Sequence, residues 1–182
     1  AGQSNLKKRL LDAGIDSFDR ESLSKILETV KDREDQGYSY DTAQASFELL
    51  ARAELKILPI FFEVQRYRVT VERRKNKSGK SVTVSEAVVV VKVDAEEKMS
   101  VSESMDSSGS DRGPVNALSK ALAKDLGRYQ DAISDMRLVD FKVRITSGGT
   151  DAVTRVIIDS EDSRGRRWST VGVSPNLVDA SF

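Results

Sequence analysis

The feature that most constrains this chain is an ordered pattern of strand-like and helical segments that occurs twice. In the first copy, apolar residues alternate over 64–71 and 82–93, and a weaker pair, Met99 and Val101, follows. Alternation predicts half-buried strands, and the unbroken valines at 88–91 predict burial on both faces of the second strand. A helix that begins at Pro114 completes a predicted strand-strand-strand-helix unit.

This helix is predicted to cover the sheet. Pro114 suits its first position, where the missing N–H is not needed, and Gly127 suits its end. One apolar stripe at helical spacing comprises Val115, Leu118, Leu122 and Leu126.

The same order of segments returns in the last third of the chain. Residues 141–145 resemble 67–71, and residues 150–153 resemble 85–88. Residues 168–169 resemble 99–100, and residues 178–180 resemble 115–117. The offsets are 74, 65, 69 and 63 positions, so the differences in length fall in polar loops, as in a duplicated unit. The final helix begins near Asn176 and ends at Phe182, so we expect it to be truncated.

Residues 4–56 are predicted to form three short helices that precede the duplicated unit. Their boundary signals are Gly14, Ser17 or Asp19, Gly37, and Asp41 with Gln44 in a capping-box spacing. Three short helices bury little by themselves, so we expect them to pack on a surface outside this stretch. Pro59 predicts a boundary between a helical subdomain, 1–58, and a βββα-βββα domain, 59–182, in the α+β class.

Composition excludes several classes of function. The 182 residues include no cysteine and no histidine, so a disulfide frame, the usual zinc sites and a Ser-His-Asp triad are not available. The 29 basic and 29 acidic residues balance, which disfavours a general attraction to nucleic acid or anionic lipid. No apolar run is long enough to span a bilayer and no signal peptide is evident, so we expect a cytoplasmic protein.

A sheet covered by one helix leaves apolar surface exposed unless a second unit or another chain packs on it. Two similar units related by pseudo-symmetry make such a surface self-complementary. The pattern therefore favours a two-fold homodimer.

Four short motifs have both structural and functional interpretations. Residues 73–80 carry five positive charges, and we interpret them as a solvated hairpin loop. The Gly/Ser-rich residues 107–113 precede a helix without a Walker lysine, a layout that suits a small carboxylate better than a nucleotide. Residues 147–152 predict a hairpin turn. Trp168 is predicted to pack in a core or an interface.

Four motifs occur in order: GPVNA at 113–117, DFKVR at 140–144, GGTDA at 148–152 and VGVSP at 171–175. Together they resemble the C-terminal regulatory domain of the citramalate synthase and 2-isopropylmalate synthase family. Residues 37–50 similarly resemble the helical subdomain that precedes this domain in the citramalate synthase branch. The resemblance extends over nearly the whole chain.

The resemblance implies a regulatory and dimerisation role. In this family a TIM barrel, absent from this chain, condenses acetyl-CoA with a 2-oxo acid and uses a divalent metal. The chain itself is therefore expected to hold no cofactor and to be inactive alone. The regulatory domain dimerises and binds an end-product amino acid, isoleucine in citramalate synthases and leucine in isopropylmalate synthases.

The resemblance also places an effector site on particular residues. They are Arg112, Gly113, Pro114, Val115, Asn116, Leu138, Asp140, Phe141, Ile145, Ala152, Thr154 and Leu177. Backbone N–H groups would bind the ligand's carboxylate, Asp140 its ammonium, and the apolar side chains its aliphatic part. The loop at 107–112 is longer than the turn usual in the family and carries Arg112.

The residues leave other functions open. A ligand-free dimerisation module predicts the same assembly without any response to amino acids. Nucleic-acid binding through the basic hairpin predicts salt-dependent retention on heparin or RNA. Isoleucine is favoured over leucine by the bulky apolar side chains at 138, 141 and 145.

Overall fold

The computed structural model describes residues 2–105, 113–146 and 152–182. Three helices come first, followed by two units that each consist of three antiparallel strands and one helix. This α+β architecture confirms the predicted fold class. The Gly/Ser-rich segment before Gly113, Arg112 and most of the predicted turn at 147–152 lie outside the described residues.

The N-terminal helices are α1 (Gln3–Asp12), α2 (Arg20–Asp35) and α3 (Gln44–Glu54). Asp19 caps α2, because its carboxylate accepts a hydrogen bond from the Ser22 N–H at 2.7 Å. This bond lowers the pKa of Asp19. The helices share a core of buried side chains that includes Leu6, Leu10, Leu23, Ile26, Val30, Phe47 and Ala51.

The start of α3 differs from the predicted capping box. The helix begins at Gln44 rather than near Asp41, and no side chain caps it. The Gln44 carboxamide instead accepts a hydrogen bond from the Arg9 guanidinium at 3.0 Å. A tertiary contact with α1 therefore replaces the local cap.

The first module contains β1 (Glu63–Lys75), β2 (Ser81–Val93), β3 (Glu96–Met105) and α4 (Gly113–Leu122). The sheet order is β1-β2-β3, and α4 packs against it. Of the valines at 88–91, Val89, Val90 and Val91 are buried and Val88 is half-buried, so burial on both faces is confirmed for 89–91.

Two details of α4 were predicted wrongly. The helix ends at Leu122, and a 3-10 turn (Gly127–Tyr129) and α5 (Gln130–Ser134) follow it. Of the predicted stripe, Leu118 is buried in the helix and Leu126 beyond its end, whereas Val115 and Leu122 are half-buried and the small Ala117 and Ala121 are buried instead. Small residues face the sheet because they allow the helix to approach it closely.

The second module contains β4 (Arg137–Ile145), β5 (Thr154–Glu161), β6 (Arg167–Ser174) and α6 (Leu177–Ser181). Its strands pair in the order β4-β5-β6. The register of β1 on β2 shifts between Val64 and Arg66, and that of β4 on β5 shifts between Leu138 and Asp140. These positions are 74 residues apart, so both modules have a bulge at the same place, as duplication predicts.

The strand registers correct two of the predicted offsets. Val69 pairs with Ala87 and Val143 pairs with Val156, so β2 and β5 are related by 69 positions rather than 65. Ala87 and Val156 also pair with Ser102 and Gly172, which relates β3 and β6 by 70 positions rather than 69. The short sequence match at 150–153 precedes β5, which begins at Thr154.

The second sheet provides the external surface that the N-terminal helices require. Val171 packs against their core, and its N–H donates a hydrogen bond to Ser46 Oγ at 2.9 Å. Accordingly, one compact unit combines the helices, up to Pro59, with Arg137–Ser181, and the other spans Ile60–Met136. The domain limits at 1–58 and 59–182 stay a prediction.

Gly37 joins the end of α2 to the second sheet. Its φ is +107°, and a Cβ there would lie 3.4 Å from Thr146 Oγ1 and 3.5 Å from Val173 Cγ1. We expect Gly37→Ala to lower the free energy of unfolding by about 1–3 kcal/mol, chiefly because the positive φ strains a residue with a Cβ, and because the added methyl group must also fit against Thr146 and Val173. Urea denaturation measures the change.

Gly14→Ala is the matched control for this substitution. Gly14 also has a positive φ, +72°, but a Cβ there would meet nothing within 4 Å. If Gly37→Ala lowers the free energy of unfolding no more than Gly14→Ala does, the fit of Gly37 against the second sheet contributes nothing to stability.

Candidate functional site

The face of the second sheet that carries α6 presents most of the apolar residues predicted for the site. Phe141, Val143 and Ile145 share this face because they pair with alternate residues of β5. Leu138 lies on the same face, and it is 54% exposed. Ile145 is 71% exposed, so the short α6 leaves much of this surface uncovered.

The remaining second-module candidates lie near the ends of its elements. Thr154 pairs with both Ile145 and Ser174 at the first position of β5, and Ala152 precedes that strand. Leu177 is the first residue of α6 and is 42% exposed. Because it pairs with Ile145, Thr154 lies on the face that carries α6.

Asp140 lies on the opposite face of the sheet from Leu138, Phe141 and Ile145. The bulge after Leu138 adds one residue, so that Asp140 pairs with Asp159. Its carboxylate binds Lys142 Nζ at 3.0 Å and accepts the Phe141 N–H at 2.8 Å. The bond with Lys142 is the main cause of the lowered pKa of Asp140.

The first-module candidates lie in the first turn of α4. Gly113 begins the helix with φ +87°, and Pro114 follows it. Val115 is half-buried. The Oδ1 atom of Asn116 is buried and accepts no hydrogen bond in the described parts of the chain. Burial of an unsatisfied acceptor costs about 1–3 kcal/mol, so this atom is suited to a donor from a ligand.

A cavity of about 540 Å³ lies on the other face of the second sheet, against the segment between α2 and α3. Its lining comprises Ser39, Thr42, Lys142, Arg144, Arg155, Ile157, Asp159 and Ser169. Sequence reasoning missed this site. Alternation along β4 and β5 puts Arg144 and Arg155 on one face, but the contribution of residues 39–42 required the tertiary fold.

The basic loop and Trp168, the other motifs noted in the sequence, have structural interpretations. Residues 71–80 are exposed, and Asn76 Oδ1 accepts the backbone N–H groups of Ser78 and Lys80 at 3.0 Å each, which stabilises the basic loop as a turn. Trp168 is half-buried on β6. Among the described residues no cluster of acidic side chains could hold a metal ion. The helices in these same parts are too short or too polar to cross a bilayer.

Residues 41–182 match the model of the LeuA allosteric (dimerisation) domain. The chain is 37% identical to an (R)-citramalate synthase of Aquifex aeolicus and 39% identical to one of Synechocystis, over its whole length. It is 28% identical, also over its whole length, to a probable 2-isopropylmalate synthase of Archaeoglobus fulgidus. The chain spans 33%, 32% and 32% of these relatives, respectively.

Proposed function

Because the chain belongs to the LeuA allosteric (dimerisation) domain family, we propose that it is the regulatory region of a citramalate synthase-like acyltransferase. The condensation of acetyl-CoA with a 2-oxo acid, and the divalent metal it requires, are assigned to a barrel domain outside this chain. Regulation requires the ligand to bind one arrangement of the protein more tightly than another, with a typical coupling of about 1–3 kcal/mol.

The proposed assembly is a homodimer formed through the helix-bearing faces of the sheets. Leu138, Val143 and Ile145 are exposed on that face of the second module. In the first module, Val64 and Val71 occupy the positions equivalent to Leu138 and Ile145, and both are also exposed. Contiguous exposed apolar surface of this kind is typical of protein interfaces.

The proposed effector is a branched-chain amino acid, with isoleucine favoured and leucine as the alternative. The observation that carries this proposal is the buried Asn116 Oδ1, which lacks a donor in the described part of the chain. A ligand ammonium group supplies such a donor. Asp140 is less suited to that role, since Lys142 already occupies its carboxylate. The apolar residues that the resemblance named, Leu138, Phe141 and Ile145, belong to the other compact unit, and their part in effector binding stays a prediction.

Calorimetric titration with isoleucine, leucine and valine tests the effector. We expect saturable heat, strongest with isoleucine, and at least a tenfold loss of affinity in Asn116→Ala. Because this substitution removes an unsatisfied acceptor, the ligand-free variant should be as stable as the parent chain or more stable. Phe141→Ala should also weaken binding.

The control on the same helix is Ser119→Ala, which alters an exposed side chain. It should bind isoleucine like the parent chain. A dimer that gives no heat with any of the three amino acids would instead be a ligand-free dimerisation module.

A further inference from the structure

The cavity on the face of the second sheet opposite α6 contains two arginines whose placement needs an explanation. Arg144 and Arg155 are direct cross-strand partners on β4 and β5. Both side chains line the cavity. Like charges directly opposite each other destabilise a sheet, so an uncompensated pair is unfavourable at this position.

The carboxylates near the cavity, those of Asp140 and Asp159, already form ion pairs with Lys142. Lys142 Nζ lies 3.0 Å from Asp140 Oδ2 and 3.2 Å from Asp159 Oδ2. Asp159 also accepts the Ser169 hydroxyl at 2.5 Å, which is the main cause of its lowered pKa. Lys142, Asp140 and Asp159 thus form a network of one ammonium and two carboxylates, whose single net negative charge cannot balance two arginines.

The arginines have few other partners. The Nε–H of Arg155 donates to the Gly37 carbonyl, which fixes the guanidinium near the end of α2, and within the described parts of the chain its terminal N–H groups stay available for another acceptor. Arg144 is exposed and forms no ion pair with any residue that the structure describes. Among the described residues, therefore, two guanidinium groups share a cavity whose one carboxylate, that of Asp159, is bound to Lys142 and Ser169 rather than to either arginine.

The duplicated module shows that the fold does not require this pair. By the register of the strands, Thr70 and Glu86 are the equivalents of Arg144 and Arg155, and they are also direct partners. The first module therefore has one neutral and one acidic residue where the second module has two arginines. The arginine pair is a property of the second module alone, where the segment between α2 and α3 closes over the sheet.

We propose that this cavity binds a small dianion, either a phosphate group or a dicarboxylate, between Arg144 and Arg155. Guanidinium groups bind both kinds of oxyanion in a bidentate manner. The hydroxyl groups of Ser39 and Thr42 line the same cavity and can donate further hydrogen bonds. A bound dianion would connect residues 39–42 to the sheet. This site is distinct from the proposed effector contacts, which lie on the face that carries α6 and on α4.

Titration of the 182-residue chain with inorganic phosphate and, separately, with succinate tests the proposal at constant ionic strength. Saturable binding of at least one is expected, with a rise in melting temperature. Arg144→Thr introduces the residue found at the equivalent position of the first module, and it should lower the affinity for the anion at least tenfold. Arg144→Lys keeps the charge without the planar fork and should give an intermediate loss.

The matched control is Arg68→Thr, which removes an exposed arginine from β1 in the first module. It should bind the dianion as tightly as the parent chain. An equal loss in Arg68→Thr and Arg144→Thr would reveal a general charge effect, and absence of saturable binding with both anions would refute the site. Tighter binding of phosphate than of succinate, or the reverse, would show whether the site is suited to a phosphate group or to a dicarboxylate.

Discussion

Replacement of Gly172 by alanine is expected to detach α6 from the second sheet. A Cβ at this position would lie 2.0 Å from the backbone carbonyl oxygen of Ala180, far inside van der Waals contact. Because the obstructing atom belongs to the backbone, α6 itself has to move. Overpacking of this kind typically costs about 1–3 kcal/mol. We expect a loss near the top of that range, since the short helix covers Val156, which is fully buried.

Chemical denaturation and chromatography on a sizing column measure the consequences of Gly172→Ala. If the helix-bearing face forms the dimer interface, displacement of α6 should also weaken the dimer. The control is Ser102→Ala in the first module, at the position equivalent to Gly172. Since that position already has a Cβ, the control should be nearly neutral. Unchanged stability of Gly172→Ala would mean that α6 does not rest on the sheet at this residue.

The sequence predicted most of the strands but not the close contact between Gly172 and Ala180. Alternation located five of the six strands closely enough to place their centres, and the repeated order indicated the duplication. Small residues allow a helix to pack closely on a sheet, but they contribute little to the hydrophobic periodicity of a sequence. For that reason the predicted stripe on α4 correctly included Leu118 but missed Ala117 and Ala121, which are buried with it.

The bulge after Leu138 sets a second limit. Simple alternation assigns a face to each residue of a strand, but one extra residue reverses the assignment for everything before it. Leu138 and Phe141 therefore share a face, and Asp140 joins Lys142 on the other. The cavity at Arg144 and Arg155 was missed for a related reason, because residues 39–42 reach it only through the packing of the N-terminal helices.

Replacement of Phe47 by alanine is expected to be the most destabilising single change in the N-terminal helices. The Phe47 side chain is completely buried, and the Arg9 guanidinium lies over its ring, 4.0 Å from the centroid. Arg9 also donates to the Tyr40 carbonyl at 2.6 Å and to Gln44 at 3.0 Å, so the ring supports a junction between α1 and α3. Truncation of a buried phenylalanine costs about 3–5 kcal/mol.

Urea denaturation of Phe47→Ala, followed by circular dichroism, measures this loss. The matched control is Leu49→Ala on the same helix, where the side chain is 48% exposed and the cost should stay below about 1 kcal/mol. Because these helices pack on β6 through Val171, the loss should appear in the transition of the second module as well. A variant in which only the helices unfold, with the second sheet unaffected, would show that the packing of Val171 on their core does not couple the two.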